Sequence, residues 1–246
     1  MHNTEKFTRY INSLEKVKPP FKSVFDVPIK SVDGEELFLQ NFQGKVLVFV
    51  NTTGMCGNAP QWPILDEIQE EYKNKNVKII YVPTNDYCGS VTYEEYKDGI
   101  KNGKASEEFA KRTYNIDAPF TELVSSRNKP WEYKVHEWNG EEYEWVLHPE
   151  KTKNIEQPPR SDLYNFLIPY PDLELIGGNF HKFITNSEGF PVAQFNNTTF
   201  FEGDFISKHA DTLSRAEEVA NFKLVLDEVL LTGKCTHPRY QYSPYF

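Results

Sequence analysis

Three cysteines occur in the 246-residue chain, and one of them stands where a sulfur does chemistry. Cys56 lies on a loop (51–60) between the apolar run Val46-Leu47-Val48-Phe49-Val50 and a stretch with Trp62, Leu65, Ile68 and Tyr72 at spacings of three and four. A strand that releases a cysteine just ahead of a helix sets the sulfur near backbone N–H groups and the positive end of the helix dipole. Both favour thiolate over thiol and lower the pKa below the free value of ~8.5. A thiolate attacks an O–O bond, becomes a sulfenic acid and releases water or an alcohol. A lone cysteine also serves as a small buried hydrophobe, and position alone leaves both readings open.

The other two cysteines add no framework. Three thiols close no set of disulfides, and their spacing is not that of a structural zinc site. Cys235, in Lys234-Cys235-Thr236-His237, has one histidine beside it, too few ligands for a metal, and reads as part of a surface tail. Cys88 follows the second apolar run.

The elements that must hold Cys56 follow from the pattern. An apolar run at every position, 46–50, reads as a strand buried on both faces. The helical spacing after it and a second run, 77–82, complete a βαβ unit. A further helix is expected over 93–114. A small hairpin is expected over 24–39 around Asp33-Gly34, and another over 180–195 around Ser187-Glu188-Gly189. A final helix is expected over 214–231 with Val219, Phe222, Val225, Val229 and Leu230 on its apolar side. Residues 1–20 read as a helical lead-in stopped by Pro19-Pro20. Between the core elements, 131–148 alternates around Asn139-Gly140, a strong hairpin signal. Pairing outward from that turn puts Lys134, His136, Trp138, Tyr143 and Trp145 on one face. So aromatic a face is costly to leave in water and is expected to pack on the domain or a partner.

Length and composition suit one elaborated α/β domain over 1–246, with an N-terminal extension (1–22), an insertion (about 125–160) and a C-terminal tail (232–246). The net charge of −9, with acids spread along the chain, gives no dense basic face for nucleic acid. The start of the chain is polar, without the apolar core of a signal peptide, and no apolar run approaches the ~20 residues of a membrane-spanning helix. A cytoplasmic protein is expected.

Three blocks in order resemble the glutathione peroxidase family. The first is Ser31-Val32-Asp33-Gly34, then 44–51 (Gly44 to Asn51), then Cys56-Gly57 and Pro60-Gln61. The second is Val82-Pro83-Thr84-Asn85-Asp86-Tyr87-Cys88, against the family's Phe-Pro-Cys-Asn-Gln-Phe-Gly. The third is Gly178-Asn179-Phe180-His181-Lys182-Phe183-Ile184, against Trp-Asn-Phe-x-Lys-Phe-Leu. Together they span about 23–120 and 162–230. The resemblance implies a thioredoxin-like α/β fold, a central mixed sheet flanked by helices, with the 131–148 hairpin inserted. It also implies a thiol peroxidase that needs no cofactor, acts on hydrogen peroxide or organic hydroperoxides, and is regenerated by glutathione or a thioredoxin-type dithiol.

By the same resemblance Cys56 takes the position of the family's selenocysteine or cysteine. The family's glutamine, tryptophan and asparagine donors fall at Ser90, Gly178 and Asn179. Only the asparagine is kept. Losing one such donor costs on the order of 3 kcal/mol, a hundredfold or more in rate. The site expected is therefore Cys56, Asn179 and Ser90, supported by Gly57, Asn85 and Lys182. Lys182 and Lys45 are candidate positive charges near the sulfur, against the ordinary reading of solvated surface lysines. Asp86 brings a carboxylate that would oppose thiolate formation if close. Cys88 stands at a family glycine and is expected to resolve the Cys56 sulfenic acid into a disulfide. The insertion falls where some family members carry a longer loop that builds a tetramer and narrows substrate access, which implies oligomerisation through 125–160 or a cover over the cleft. Two other functions stay open: a thiol-disulfide oxidoreductase, disfavoured by the lack of a Cys-x-x-Cys pair, and a non-catalytic binding module.

Overall fold

The computed structural model describes residues 10–11, 13–36, 38–53, 56–84, 86–87, 102–128, 134–147, 159–200 and 213–246. Four strands form one mixed sheet: β1 (Val46–Thr52), β2 (Val77–Pro83), β5 (Lys182–Thr185) and β6 (Pro191–Phe195), in the order β2-β1-β5-β6. β1 runs parallel to β2, from Val46 opposite Val77 to Thr52 opposite Pro83. A parallel pair needs a crossover, and α1 (Gln61–Tyr72) supplies it. β5 returns antiparallel against β1, and β6 antiparallel against β5. The remaining elements are α2 (Gly103–Tyr114), the pair β3 (Lys134–Trp138) and β4 (Tyr143–Leu147), α3 (Asp162–Leu167) and α4 (Arg215–Thr232). This is the thioredoxin-like arrangement expected from the sequence.

The continuous apolar runs are explained by burial on both faces. Val46, Val48 and Val50 of β1 join Val77, Ile79 and Tyr81 of β2 in a core closed by Trp62, Leu65, Ile68 and Tyr72 of α1 and by Phe222, Val225 and Val229 of α4. Leu47 and Phe49 point the other way and meet Ile80, Val82 and the α3 residues Leu163, Phe166 and Leu167. Each such side chain, fully buried, contributes about 1.5–3 kcal/mol, so a charge anywhere in β1 would break the sheet that carries the Cys56 loop. Pro63 is tolerated in the first turn of α1, where its missing N–H has no intrahelical acceptor to lose. α4 is set by Ser214 and Glu217 in a capping box and ends at Gly233, φ +70°. None of the described helices is long and apolar enough to cross a membrane.

Three expectations are corrected. Over 24–39 there is no hairpin: Val24–Asp26 and Phe38–Phe42 are 3-10 turns. The segment closes on itself around the turn, Ser31 N–H to Glu35 O (3.0 Å) and Phe38 N–H to Ile29 O (3.1 Å). It also bonds outward, Val24 N–H to Gly189 O and Ser31 pairing with Thr121, and its flanks wind into the 3-10 turns rather than into strands. The Asp33-Gly34 turn itself is present, with Gly34 at φ +85°. The helix expected over 93–114 begins at Gly103, because Asn102 stands in extended backbone and caps it, its side chain accepting Ala105 N–H; 88–101 lie outside the described residues. The 232–246 segment is no solvent tail. Tyr240 O accepts Gln194 N–H and Tyr242 N–H donates to Val192 O, extending the sheet beyond β6. Aromatic packing drives this: Tyr240 stacks on Phe195 with ring centroids 4.0 Å apart. Cys235 is carried inside with it, 6% exposed.

The inserted hairpin exists as read, with Trp138 opposite Tyr143, His136 opposite Trp145 and Lys134 opposite Leu147. It forms a two-stranded sheet of its own, and Trp138 is 58% exposed.

Candidate active site

Cys56 sits half-buried at the edge of the first core, on a run of turns between the end of β1 and the start of α1. Those turns are successive: Ala59 N–H to Cys56 O (3.0 Å), Gln61 N–H to Asn58 O (3.1 Å) and Trp62 N–H to Ala59 O (3.0 Å). The chain thus winds from the cysteine directly into the helix. From the other side, Ser106 Oγ of α2 donates to Thr53 O at 3.2 Å and holds the exit of β1.

The 178–181 segment is fastened to this turn. Asn58 Nδ2 donates to Asn179 O at 2.7 Å. Asn51, the penultimate residue of β1, does more: Nδ2 donates to Gly178 O (3.2 Å), Oδ1 accepts His181 N–H (2.8 Å), and its carbonyl accepts Phe180 N–H (2.7 Å). These bonds hold Phe180 at φ +69°, a left-handed conformation that a bulky side chain rarely adopts. Phe180 then packs edge-on against Trp62 of α1, ring centroids 5.1 Å apart. Asn179 is buried, and its Oδ1 meets no hydrogen-bond donor among the described residues. That spare atom is an acceptor; of this amide only Nδ2 could donate to a negatively charged sulfur.

Gly178 is buried as well. A Cβ there would lie 2.7 Å from Nδ2 and 3.2 Å from Cγ of Asn197. The amide of Asn197 thus occupies the space a side chain at 178 would enter.

Lys182 overturns the reading of a surface lysine. It is fully buried on β5, and Nζ donates to Gln61 Oε1, to Thr199 O (3.3 Å) and to Asn196 O (3.4 Å), with the Phe200 ring centroid 4.8 Å away. Burial pulls its pKa well below the usual lysine value, against the attraction of Glu218. Three carbonyl acceptors for three N–H donors are what makes such a burial tolerable. Next to it His181 is buried with Nε2 against Gln194 Oε1 at 3.0 Å. Burial first, then the Lys182 charge, push its pKa down to about 3, opposed by the Gln194 bond, so it is neutral near pH 7 and too weak a base to accept a proton there.

Of the other residues expected at the site, Gly57 is exposed at the turn with open space around it. Asn85, Cys88 and Ser90 lie outside the described residues. Asp86 turns its buried carboxylate toward 125–126, accepting Ser125 Oγ (3.0 Å), Ser126 Oγ (2.7 Å) and Ser126 N–H. Lys45 is half-buried at the opposite, N-terminal end of β1. Cys235 belongs to the packed core, and burial above all pushes its thiol up to about 11. Asn51, Asn58, Gln61 and Asn197 were given no role from the sequence. Asn51 and Gln61 stood inside the matched blocks and were legible there as polar residues in apolar surroundings; nothing in the spacing marked Asn58 or Asn197.

Comparison with known proteins gives a consistent set. Residues 24–124 match the family described as Glutathione peroxidase. The Hydroperoxy fatty acid reductase Gpx2 of Synechocystis sp. is 29% identical over 173 residues, covering 70% of this chain and 86% of that protein. The Glutathione peroxidase homolog BsaA of Bacillus subtilis is 27% identical over 107 residues, 44% of this chain and 62% of that protein's length. The Glutathione peroxidase-like peroxiredoxin 2 of Saccharomyces cerevisiae is 24% identical over 177 residues, 72% of this chain and 89% of that protein. A crystal structure of T. cruzi GPX1 overlaps 87% of this chain and 99% of that chain, with a TM-score of 0.48 and 16% identity.

Proposed function

We propose that this chain, similar to the glutathione peroxidases over residues 24–124 and to peroxidases along most of its length, is a thiol peroxidase whose nucleophile is Cys56. The observation that supports this most is the bond from Asn58 Nδ2 to the Asn179 backbone carbonyl, which fastens the cysteine-bearing turn to the segment that carries Asn179. As thiolate, Cys56 attacks the outer oxygen of the hydroperoxide. An S–O bond forms as the O–O bond breaks; the departing oxygen takes a proton from solvent and leaves as water or alcohol. The sulfur is oxidised by two electrons to sulfenic acid and the peroxide reduced by two. Asn179 and Ser90 are the polar groups assigned to the developing charge, with Gly57, Asn85 and Lys182 in support.

Regeneration takes one of two routes. A glutathione thiolate attacks the sulfenic sulfur, water leaves, and a second glutathione displaces Cys56 from the mixed disulfide. Alternatively Cys88 attacks the sulfenic sulfur, water leaves, and a thioredoxin-type dithiol reduces the Cys56–Cys88 disulfide. Glutathione and thioredoxin keep thiols reduced in the cytosol, where we assign the reaction. The exposed Trp138 favours the 125–160 insertion as the surface for self-association.

Hydroperoxide-dependent NADPH oxidation, coupled through glutathione and glutathione reductase or through thioredoxin and its reductase, tests this. Turnover is expected with one of the two systems, lost in Cys56→Ser, and lost in Cys88→Ser only on the thioredoxin route. No turnover above the protein-free blank with either system, for both peroxide and an organic hydroperoxide, overturns the proposal.

A further inference from the structure

We propose that Lys182 is a positioning residue for Cys56, acting through Gln61, the first residue of α1. The inference rests on the assignment of Cys56 as the working sulfur. Its ground is a closed ring of contacts. Lys182 Nζ donates to Gln61 Oε1; the Gln61 N–H donates to Asn58 O at 3.1 Å; Asn58 Nδ2 donates to Asn179 O at 2.7 Å; and Asn179 is three residues before Lys182 along the chain. Cys56 lies on the turn that this ring fixes, since Cys56 O accepts Ala59 N–H within it.

The same two side chains fix a second segment. Gln61 Nε2 donates to Asn197 O at 2.7 Å, and Lys182 Nζ also reaches the carbonyls of Asn196 and Thr199. That turn carries the Asn197 amide laid against Gly178. It ends at Phe200, whose φ of +78° is kept by its N–H on Glu218 Oε2 (3.3 Å) and its carbonyl under Arg215 Nε (3.0 Å), with the ring over Lys182. A strained aromatic residue and a buried amine are both costly features. Here they converge on one point, the start of the helix that follows Cys56. An aliphatic residue on β5 would fill the space without reaching either Gln61 or the 196–199 carbonyls, so packing alone does not account for a lysine.

The test uses the full chain with Lys182→Met, Gln61→Met and the double variant, each reduced, with Cys56 identified by mass spectrometry. Two readouts are taken on protein shown to be folded: the second-order rate of Cys56 oxidation by hydrogen peroxide, and the pH midpoint of Cys56 alkylation by iodoacetamide. Each single variant is expected to slow oxidation by about tenfold or more and to shift the alkylation midpoint upward, and the double variant to be no slower than the worse single one, because residues of one network are not additive. A lysine that only fills the core lowers the unfolding temperature and leaves the alkylation midpoint of the folded protein where it was. Wild-type rate and midpoint in Gln61→Met overturn the proposal even if Lys182→Met does not fold, as do fully additive losses. If wild-type Cys56 itself reacts with peroxide no faster than free cysteine, the peroxidase reading fails; the alkylation midpoints still decide the positioning role.

Discussion

Cys56 and Cys235 touch the same apolar core and meet opposite fates. Cys235 follows α4, is folded under the aromatic 240–246 segment, and has its thiol pushed up to about 11 by burial. Cys56 leaves β1 on a turn whose neighbours are amides: Asn51 and Asn58 tie it to 178–181, and Gln61 ties it to Lys182. Hydrophobic contact is common to both. What separates them is the element that delivers the sulfur. A strand end running into a helix start leaves polar backbone and side-chain groups around a half-exposed thiol; at a helix end roofed by stacked rings, burial outweighs the backbone hydrogen bond at His237.

The largest expected consequence is selectivity toward an alkylating agent. At pH 7 a thiol with pKa about 11 is ionised in only about one molecule in ten thousand, whereas one at or below ~8.5 is ionised in a few per cent or more. Iodoacetamide on native reduced protein, read by peptide mass, is expected to label Cys56 more than about a hundredfold faster than Cys235. Comparable rates would erase the contrast.

A smaller effect lies on the Cys235 side. Its folded pKa is raised above the unfolded ~8.5, so the folded chain keeps a proton that the unfolded chain has already lost. That contribution to stability is present below about 8.5 and is lost as pH rises toward about 11. Cys235→Ala is expected to cost about 1 kcal/mol at neutral pH through lost packing. The gap between wild type and variant should narrow in alkaline denaturation curves over that window, while the peroxide reaction is unchanged. A gap that stays constant up to pH 11 would mean that the thiol is not held protonated by the fold.

The difference between the two cysteines was only half legible in the sequence. The apolar run at 46–50, the i, i+3, i+4 spacing of α1 and the run at 77–82 placed Cys56 correctly between strand and helix, because burial on both faces leaves a continuous signature. Cys235 was read as part of a surface tail, because its burial depends on Tyr240 stacking on Phe195, a contact between residues 45 apart that no local pattern encodes. Lys182 failed for the same reason: a lysine in a strand looks solvated until its acceptors, Gln61 on α1 and the carbonyls of 196 and 199, are brought round it. The 24–39 segment carried a true turn signal at Asp33-Gly34, and the chain closes around it through bonds between Ser31 and Glu35 and between Ile29 and Phe38. Yet the flanks wind into 3-10 turns instead of strands, while Val24 and Ser31 find partners at Gly189 and Thr121.

The direct measurement is rapid mixing of the reduced protein with hydrogen peroxide, followed by thiol counting. Fast loss of one thiol, faster than free cysteine under the same conditions and absent in Cys56→Ser, is the predicted result. Thiol loss at the rate of free cysteine, or unaffected by Cys56→Ser, would contradict the assignment and leave a thioredoxin-like scaffold without its chemistry.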